Sequence, residues 1–230
     1  MNPAERLYLW DLPTRLFHWL LALAVLAAFV SGSLGGNLIV WHGRIGLFIL
    51  GLLAFRLAWG LFGSTYARFA QFAPTPARLA AYLRGNWQGQ GHNPLGALSV
   101  FALLGLLGFQ AISGLVSNDD IAFSGPLYRL VSDPLSQQLT GLHHQASDLL
   151  LLLIGLHLLA IGFYRLVKGD NLVLPMIRGW RPGKAQDSAQ GGGPWALILA
   201  LLFALLLVLA ASGIWLPPPP PPEVLDTPAW

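Results

Sequence analysis

The chain has 230 residues, of which 55% are hydrophobic and 10% are charged, and its mean hydropathy is +0.60. A soluble globular protein carries about 25% charged residues, so this composition excludes an ordinary soluble fold and indicates that most of the outer surface faces lipid. The absence of cysteine excludes disulfides, iron–sulfur clusters, thiolate metal sites and haem attached through cysteine. A net charge of +3 is too small to indicate nucleic-acid binding.

Five apolar stretches predict helices that cross a membrane. A spanning helix needs about 20 mostly apolar residues, and lipid offers no partners to unpaired backbone groups, which favours helices throughout. The stretches are residues 16–30, 40–62, 95–116, 142–167 and 195–216. The first is interpreted as a retained span because no signal-peptide cleavage pattern follows it. The predicted fold class is an all-α integral membrane protein, with a four-helix transmembrane bundle plus a fifth C-terminal transmembrane helix.

Lysine and arginine predict the orientation of the spans. Alternation of the five spans places eleven of the thirteen cations on the side of the N-terminus: Arg6, Arg15, Arg56, Arg68, Arg78, Arg84, Arg165, Lys168, Arg178, Arg181 and Lys184. Only Arg44 and Arg129 fall on the other side. Because basic residues concentrate on the cytoplasmic side of membrane proteins, the N-terminus is predicted to be cytoplasmic and the C-terminus to be periplasmic.

The connecting segments complete the predicted organisation. After Pro76, residues 77–84 place apolar side chains on one side and predict an interfacial helix. The glycines of 183–194 predict a flexible linker, and the six prolines at 217–222 predict a polyproline stalk. The predicted units are an N-terminal segment over 1–14, a four-helix core over 15–182, the Gly-rich linker over 183–194, a fifth helix over 195–216 and a Pro-rich tail over 217–230.

Two histidines share one face of the fourth predicted span. His143 and His157 are fourteen residues apart, which at ~100° per residue is within ~40° of a whole number of turns and about 21 Å along the axis. His144 is ~220° out of phase with His157 and points nearly the opposite way. His144 is therefore interpreted as an interfacial residue, and His143 as the inward-facing member of the adjacent pair. His92, a single histidine at the end of a span, is also interpreted as interfacial.

Topology combines these histidines with two others into matched pairs. His18 and His157 share the cytoplasmic half of the membrane, whereas His42 and His143 share the external half. A bis-histidine site suits haem iron, which imidazole ligates and which needs no covalent attachment. A structural zinc site would want four ligands, and each pair offers only two.

Two arginines and a glycine extend these candidate sites. Arg56 lies fourteen residues after His42, on the same helix face but near the cytoplasmic end, where its guanidinium suits a haem propionate. Arg15, one turn before His18, is a similar candidate. For both arginines the alternative is a cation that extends to the membrane surface. Gly46, one turn after His42, would let a flat macrocycle approach the helix, although small residues also serve helix packing.

A polar stripe lies on the third predicted span, at Gln110, Ser113 and Ser117. The i, i+3, i+7 spacing places the three side chains on one helix face. They are candidates for hydrogen bonding to a cofactor or a histidine, but hydrogen bonding between helices is the favoured interpretation.

Several motifs together resemble the bacterial cytochrome b-561 family, which includes the b-type membrane subunit of nickel–iron hydrogenases. They are Trp10-Asp-Leu-Pro-Thr-Arg-Leu-Phe-His18-Trp, His42-Gly-Arg-Ile-Gly46, Arg56-Leu-Ala-Trp59, Gly91-His-Asn-Pro-Leu-Gly96, Gly141-Leu-His143-His, Gly155-Leu-His157 and Leu174-Pro-Met-Ile-Arg-Gly179. The resemblance covers roughly residues 8–180. It implies a multi-pass protein of the bacterial inner membrane that holds two b-type haems in a four-helix bundle. The family's ligands fall on His18, His42, His143 and His157.

The main functional hypothesis is electron transfer across the membrane between quinone or quinol and a periplasmic redox partner. That partner is either a c-type cytochrome, which the acidic external loop would suit, or a dehydrogenase subunit. A stand-alone superoxide- or quinone-reactive oxidoreductase is an alternative, and no catalytic residue is predicted. A non-redox protein that handles protons or metal is disfavoured, because the spans carry few polar residues that could line a pathway.

Overall fold

The computed structural model of the chain describes residues 5–121 and 123–217, so the predicted tail lies outside the described residues except for Pro217. Two short strands and eight helices follow one another along the described chain. They are β1 (Arg6–Tyr8), α1 (Leu12–Leu34), α2 (Ile39–Phe62), α3 (Phe69–Phe72), α4 (Pro76–Leu83), α5 (Pro94–Val116), α6 (Asp133–Leu166), α7 (Val173–Arg178), β2 (Trp180–Pro182) and α8 (Pro194–Ala211).

Five of these helices are long and apolar enough to cross a membrane: α1, α2, α5, α6 and α8. The predicted all-α fold with five spanning helices is therefore confirmed. Most of their large side chains face outward, and leucines such as Leu23, Leu159 and Leu199 are more than half exposed. Helices that are apolar all round belong in lipid, so the chain has the surface of a membrane protein.

Proline and a capping residue explain where several helices begin. The Asp11 carboxylate accepts a hydrogen bond from the Thr14 backbone N–H at 2.7 Å, and the Asn93 side chain accepts one from Gly96 at 2.8 Å. A proline follows each cap within the first turn, where its missing N–H removes no helical bond. Helix α6 likewise begins at Asp133, before a proline, and not at the predicted 142. A count of apolar residues does not detect the polar first turns of this helix.

Helix α2 is at the centre of the packing of the spanning helices. Helix α2 lies against α1, α5 and α8, and α6 lies against α5, whereas α1 and α6 do not form a close-packed pair. Buried apolar residues of α1, α2, α5, α6 and the end of α8 form the main core: Ala24, Val25, Ile49, Leu50, Leu53, Leu107, Ala111, Leu150 and Ala211. The predicted histidine pairs would have to meet between α6 and two other spans, α1 for His18 and α2 for His42, and neither span is a close-packed neighbour of α6.

Alternation of the helices gives the bundle two ends. The sheet end carries the two-stranded antiparallel sheet of β1 and β2, with Leu7 opposite Arg181. It also carries α4, which is present as a helix over almost the predicted residues. The loop end carries the loop 117–132, on which Arg129 donates a hydrogen bond to the carbonyl of Pro217 beyond α8.

The segment expected to be a flexible linker, 183–194, is held by hydrogen bonds at the sheet end. The Ala189 N–H donates to Tyr8 O and the Thr65 N–H donates to Gln190 O, both at 2.8 Å. Gly192 explains why the glycines misled the prediction. Its φ is +69°, and a Cβ there would lie 2.8 Å from the backbone nitrogen of Ser64. Glycine at 192 thus serves a left-handed conformation and a close approach, not flexibility.

Gly51 tests the packing of α8 on α2. A Cβ at Gly51 would lie 2.9 Å from Cγ2 of Val208, so Gly51→Ala should overpack this contact and destabilise the protein by about 1–3 kcal/mol. Thermal unfolding in detergent measures the change. Gly105→Ala is the matched control, because a Cβ there meets nothing within 4 Å. The penalty should shrink in a Val208→Ala background. Equal stability of Gly51→Ala and Gly105→Ala would show that α8 does not approach α2 this closely.

Candidate functional site

At the loop end, the structure brings together the rings of His42 and His143, from α2 and α6. Their ring centroids are 6.1 Å apart and their planes are inclined by 78°. Metal–imidazole bonds are about 2 Å and a ring centroid lies roughly 1 Å behind its nitrogen, so two imidazoles on opposite sides of one metal ion have centroids about 6 Å apart. The observed separation therefore suits a single iron between the two rings.

Hydrogen bonds determine which nitrogen of each ring is available. His42 Nδ1 lies 2.9 Å from Ala28 O, a carbonyl that can only accept, so this nitrogen carries the proton. His143 Nδ1 lies 3.0 Å from the Ser113 hydroxyl, whose own proton is directed to the Phe109 carbonyl at 2.8 Å. The hydroxyl oxygen therefore accepts from His143 Nδ1. Both histidines keep Nε2 as a lone-pair donor, which is the form that ligates a metal.

The two rings line a cavity of about 330 Å³ with mostly apolar walls. Gly46 lies on its wall, and a Cβ there would meet nothing within 4 Å, as expected of a helix face that a flat group approaches. Two further glycines seat the rings. A Cβ at Gly32 would lie 3.0 Å from His42 Nδ1, and one at Gly114 would lie 3.3 Å from His143 Cε1.

The polar stripe of α5 and the adjacent histidine fall close to their expected places. Ser113 on α5 is hydrogen-bonded to His143 on α6, so one contact is both a bond to a histidine and a bond between helices. The Ser117 hydroxyl donates to Ser113 O at 2.9 Å. Gln110 lines the cavity, and its Oε1 is buried without a hydrogen-bond partner in the described structure. His144 is exposed and lies edge-on to His143, with ring centroids 6.2 Å apart. It contributes to the cavity wall but does not face His42 as His143 does.

At the sheet end, His18 and His157 are both half-buried and lie near enough to interact electrostatically. They project from α1 and α6, which do not form a close-packed pair. Within the described residues, His18 Nδ1 is buried and has no hydrogen-bond partner. A buried polar nitrogen without a partner signals a group that a ligand would satisfy.

Arg56 lies buried close to this second pair. It is 3% exposed, and its Nη1 donates to Ala67 O at 3.0 Å. Its guanidinium carbon lies 6.0, 4.6 and 5.9 Å from the ring centroids of Phe17, Phe69 and Phe72. No carboxylate of the described residues forms an ion pair with it. Asp11 lies near enough to interact with Arg56 electrostatically, but no carboxylate contacts the guanidinium directly, so it is able to receive an anion.

Arg15, the other arginine candidate, is turned toward α7. Its Nη1 donates to Ile177 O at 2.6 Å, and its side chain lines a separate cavity that also includes Arg178. The structure thus gives Arg15 a contact that joins α1 to α7.

The sequence model of one protein family, prokaryotic cytochrome b561, matches residues 9–179, about three quarters of the chain. The chain belongs to the prokaryotic cytochrome b561 family. This confirms the resemblance drawn from the motifs and makes the chain a bacterial membrane protein of a family that binds haem b and transfers electrons. Searches of curated proteins and of solved structures gave no significant match.

The histidine pairs fit the haem of the b561 family by their donor chemistry. The loop-end pair leaves two Nε2 lone pairs free of hydrogen bonds in the lining of an apolar cavity, and the sheet-end pair adds an orphaned imidazole nitrogen at the end that also holds the buried Arg56 guanidinium. Among the residues that the structure describes, no group of three or more histidine and acidic side chains converges as a metal site. Each candidate site is therefore a two-imidazole site.

His92 is a residue of this b561 chain that the sequence analysis undervalued. Its ring packs between Trp10 and Phe72, with centroid distances of 4.7 and 4.5 Å, and its Nδ1 is buried without a partner in the described chain. The ring is therefore packed against aromatic side chains at the sheet end, and its interfacial depth stays a prediction. The available signal was positional, because Trp10 and His92 each lie two residues before a helix that begins at the sheet end.

His92 predicts how stability depends on pH. Burial, together with the positive charges of Arg56, His18 and His157, lowers the pKa of His92 to about 3. Between pH about 6.5 and 3 an unfolded chain binds a proton at His92 that the folded chain does not. The stability due to neutral His92 is therefore complete above pH about 6.5 and is lost as the pH falls, by up to about 1.4 kcal/mol per pH unit.

Thermal unfolding in detergent from pH 8 to 5 should show this loss in the native chain and a smaller loss in His92→Phe, which keeps the aromatic packing. His144→Phe removes an exposed histidine and should behave like the native chain. If His92→Phe and the native chain lose stability equally, His92 does not remain neutral in the fold.

Proposed function

We propose that the chain is a di-haem cytochrome b that carries electrons across the membrane. His42 and His143 would ligate one haem at the loop end, and His18 and His157 a second haem at the sheet end. The observation that carries the proposal is the loop-end pair, whose Nδ1 atoms are both anchored and whose Nε2 atoms are available. When bound, haem iron supplies one-electron redox chemistry.

The residues around the loop-end pair are proposed to orient its rings. Hydrogen bonds from Nδ1 to Ala28 O and to the Ser113 hydroxyl fix the tautomer and raise the basicity of each ligand nitrogen. Gly46 leaves one helix face open to a planar macrocycle. The apolar walls exclude water, which strengthens every electrostatic interaction inside the cavity.

At the sheet end, Arg56 is proposed to bind a haem propionate. Three phenylalanine rings hold its guanidinium near the bundle interior, and a guanidinium matches a carboxylate in geometry and charge. His92 is proposed as a neutral neighbour of the same group, because its orphaned Nδ1 lies within electrostatic range of His18, His157 and Arg56. Arg15 is proposed to hold α1 to α7 and not to bind this propionate.

The proposed orientation places the sheet end in the cytoplasm of a bacterial inner membrane and the loop end in the periplasm. The eleven cations on the side of the N-terminus support it. Electrons would then pass between membrane quinone and a periplasmic partner, either a c-type cytochrome or a dehydrogenase subunit. Asp119, Asp120 and Asp133 give the loop end an acidic character that favours a partner with a basic docking face.

Haem content tests the ligand assignment. Pyridine haemochrome analysis of the purified chain should give two b-type haems, His143→Ala and His157→Ala should each lose one, and His144→Ala should retain both. His144→Ala is the matched control because it removes the neighbouring imidazole without touching Nε2 of a proposed ligand. A colourless, folded native chain would exclude the redox function, and loss of a haem from His144→Ala alone would reverse the ligand assignment.

The charge of Arg56 should tune the sheet-end haem. Arg56→Gln keeps a hydrogen-bond donor for Ala67 O but removes a positive charge that favours the reduced state. The midpoint potential of one haem should fall by on the order of 50 mV, equivalent to roughly 1 kcal/mol at an effective dielectric constant of about 20. Redox titration measures it. Arg44→Gln removes an exposed charge from the same helix and should leave that potential in place; unchanged potentials in both variants would remove Arg56 from the site.

A further inference from the structure

A second cavity, of about 260 Å³, opens at the sheet end, apart from the histidine pairs. Its walls come from four segments that are distant in sequence: the junction of β1 and α1, the residue Ser64 after α2, the end of α7, and residues 189–191 of the segment before α8. The hydrogen bonds that order this last segment therefore also build the cavity.

Arg15 and Ser64 each supply a buried donor without a partner in the described residues, and a second arginine lies in the same lining. Arg15 uses Nη1 for Ile177 O, but its Nε is buried and has no partner in the described residues. Ser64 is 3% exposed, and its hydroxyl is likewise buried and unpartnered there. Arg178 adds a second guanidinium to the lining. Buried donors without acceptors are rare in folded proteins, and their convergence on one cavity points to an acceptor that the chain does not supply.

The one carboxylate of the lining does not fill this role. Asp11 Oδ1 accepts from the Thr14 N–H at 2.7 Å, and Oδ2 accepts from Trp59 Nε1 at 2.9 Å. Its oxygens thus cap α1 and join it to α2, and it forms no ion pair with Arg15 or Arg178 in the described structure. With two guanidiniums and one carboxylate, the lining has a net positive charge.

The position of the cavity suggests the class of anion. Leu12 at the start of α1 and Ile177 of α7 present their side chains outward, at 55% and 54% exposure. Trp19, which donates from Nε1 to Met176 O, joins the same two helices. Apolar and tryptophan side chains at the start of a spanning helix belong at the level of lipid headgroups, where phosphate is the abundant anion.

We propose that this cavity binds a phosphate group, with the guanidiniums of Arg15 and Arg178 as charge partners and the Ser64 hydroxyl as a further donor. The phosphate comes from either an anionic phospholipid headgroup or free inorganic phosphate, and both present the same chemistry. A phosphate bound in this cavity contacts β1, the end of α2, α7 and the segment before α8, and so connects them. The bound phosphate therefore stabilises the sheet end, independently of what the histidine pairs bind.

The test uses the full chain, purified in an uncharged detergent with the haem it carries, and follows thermal unfolding. Phosphatidylglycerol, phosphatidylcholine and inorganic phosphate are titrated separately. We expect a saturable rise of a few degrees with phosphatidylglycerol and none with phosphatidylcholine. A comparable rise with inorganic phosphate identifies free phosphate as the source, and its absence identifies the lipid. No response to either phosphate source overturns the proposal.

Variants separate this site from general charge attraction. Arg178→Gln changes an exposed side chain and Ser64→Ala removes only a hydroxyl, so both should fold and both should weaken the phosphate response at least fivefold. Arg84→Gln removes an exposed cation at the same end, outside the cavity lining, and should keep the full response. Equal losses in Arg84→Gln and Arg178→Gln, or full responses in Arg178→Gln and Ser64→Ala, contradict the site.

Discussion

Lipid offers no hydrogen-bond partner, so each polar group buried in a transmembrane bundle is satisfied within the protein or by what the protein binds. The histidines of this chain divide along that line. At the loop end, His42 and His143 give their Nδ1 protons to acceptors on neighbouring helices, so each ring is oriented before any ligand arrives. At the sheet end, His18 and His92 each keep a buried nitrogen without a partner in the described chain. The protein itself therefore orients the loop-end rings, whereas two imidazole nitrogens of the sheet end have no partner within the described chain.

Small residues make the loop-end arrangement possible. Ala28 O accepts from His42 although it lies in the middle of α1, where side chains of the next turn normally shield a carbonyl. Gly32 is one turn further along, and a Cβ there would come within 3.0 Å of the His42 ring. The missing side chain therefore opens a route to the carbonyl. Glycines that look like helix-packing residues in the sequence here determine the tautomer of a histidine.

The helices and the histidine faces were predictable because both follow from short-range rules. Apolar length alone identifies spanning helices, and a spacing of fourteen residues places His143 and His157 on one face whatever surrounds them. The start of α6 at Asp133 was missed because its first turns are polar and its signal is a proline in the first turn, without a side-chain cap. The depth of a residue along its helix therefore needed the structure.

The sheet end was not predictable, because contacts between distant segments build it. Trp10 and His92 meet although 82 positions separate their places in the chain. The segment 183–194 looked flexible by composition, yet its backbone pairs with Tyr8 and Thr65. Composition indicates the conformational freedom of a segment on its own. In the fold, hydrogen bonds to the first strand and to the residues after α2 determine its conformation.

These contacts also give the fifth helix its place. Helix α8 lies outside residues 9–179, which match the family, but it packs along α2 with Gly51 against Val208. Both its ends are held, by the pairing of Ser64 with Gly191 at the sheet end and by Arg129 on Pro217 at the loop end. Helix α2 carries His42 near one end and Arg56 near the other. A helix fixed along α2 therefore constrains the separation and tilt of both candidate sites, which makes α8 a structural part of the bundle and not an appended anchor.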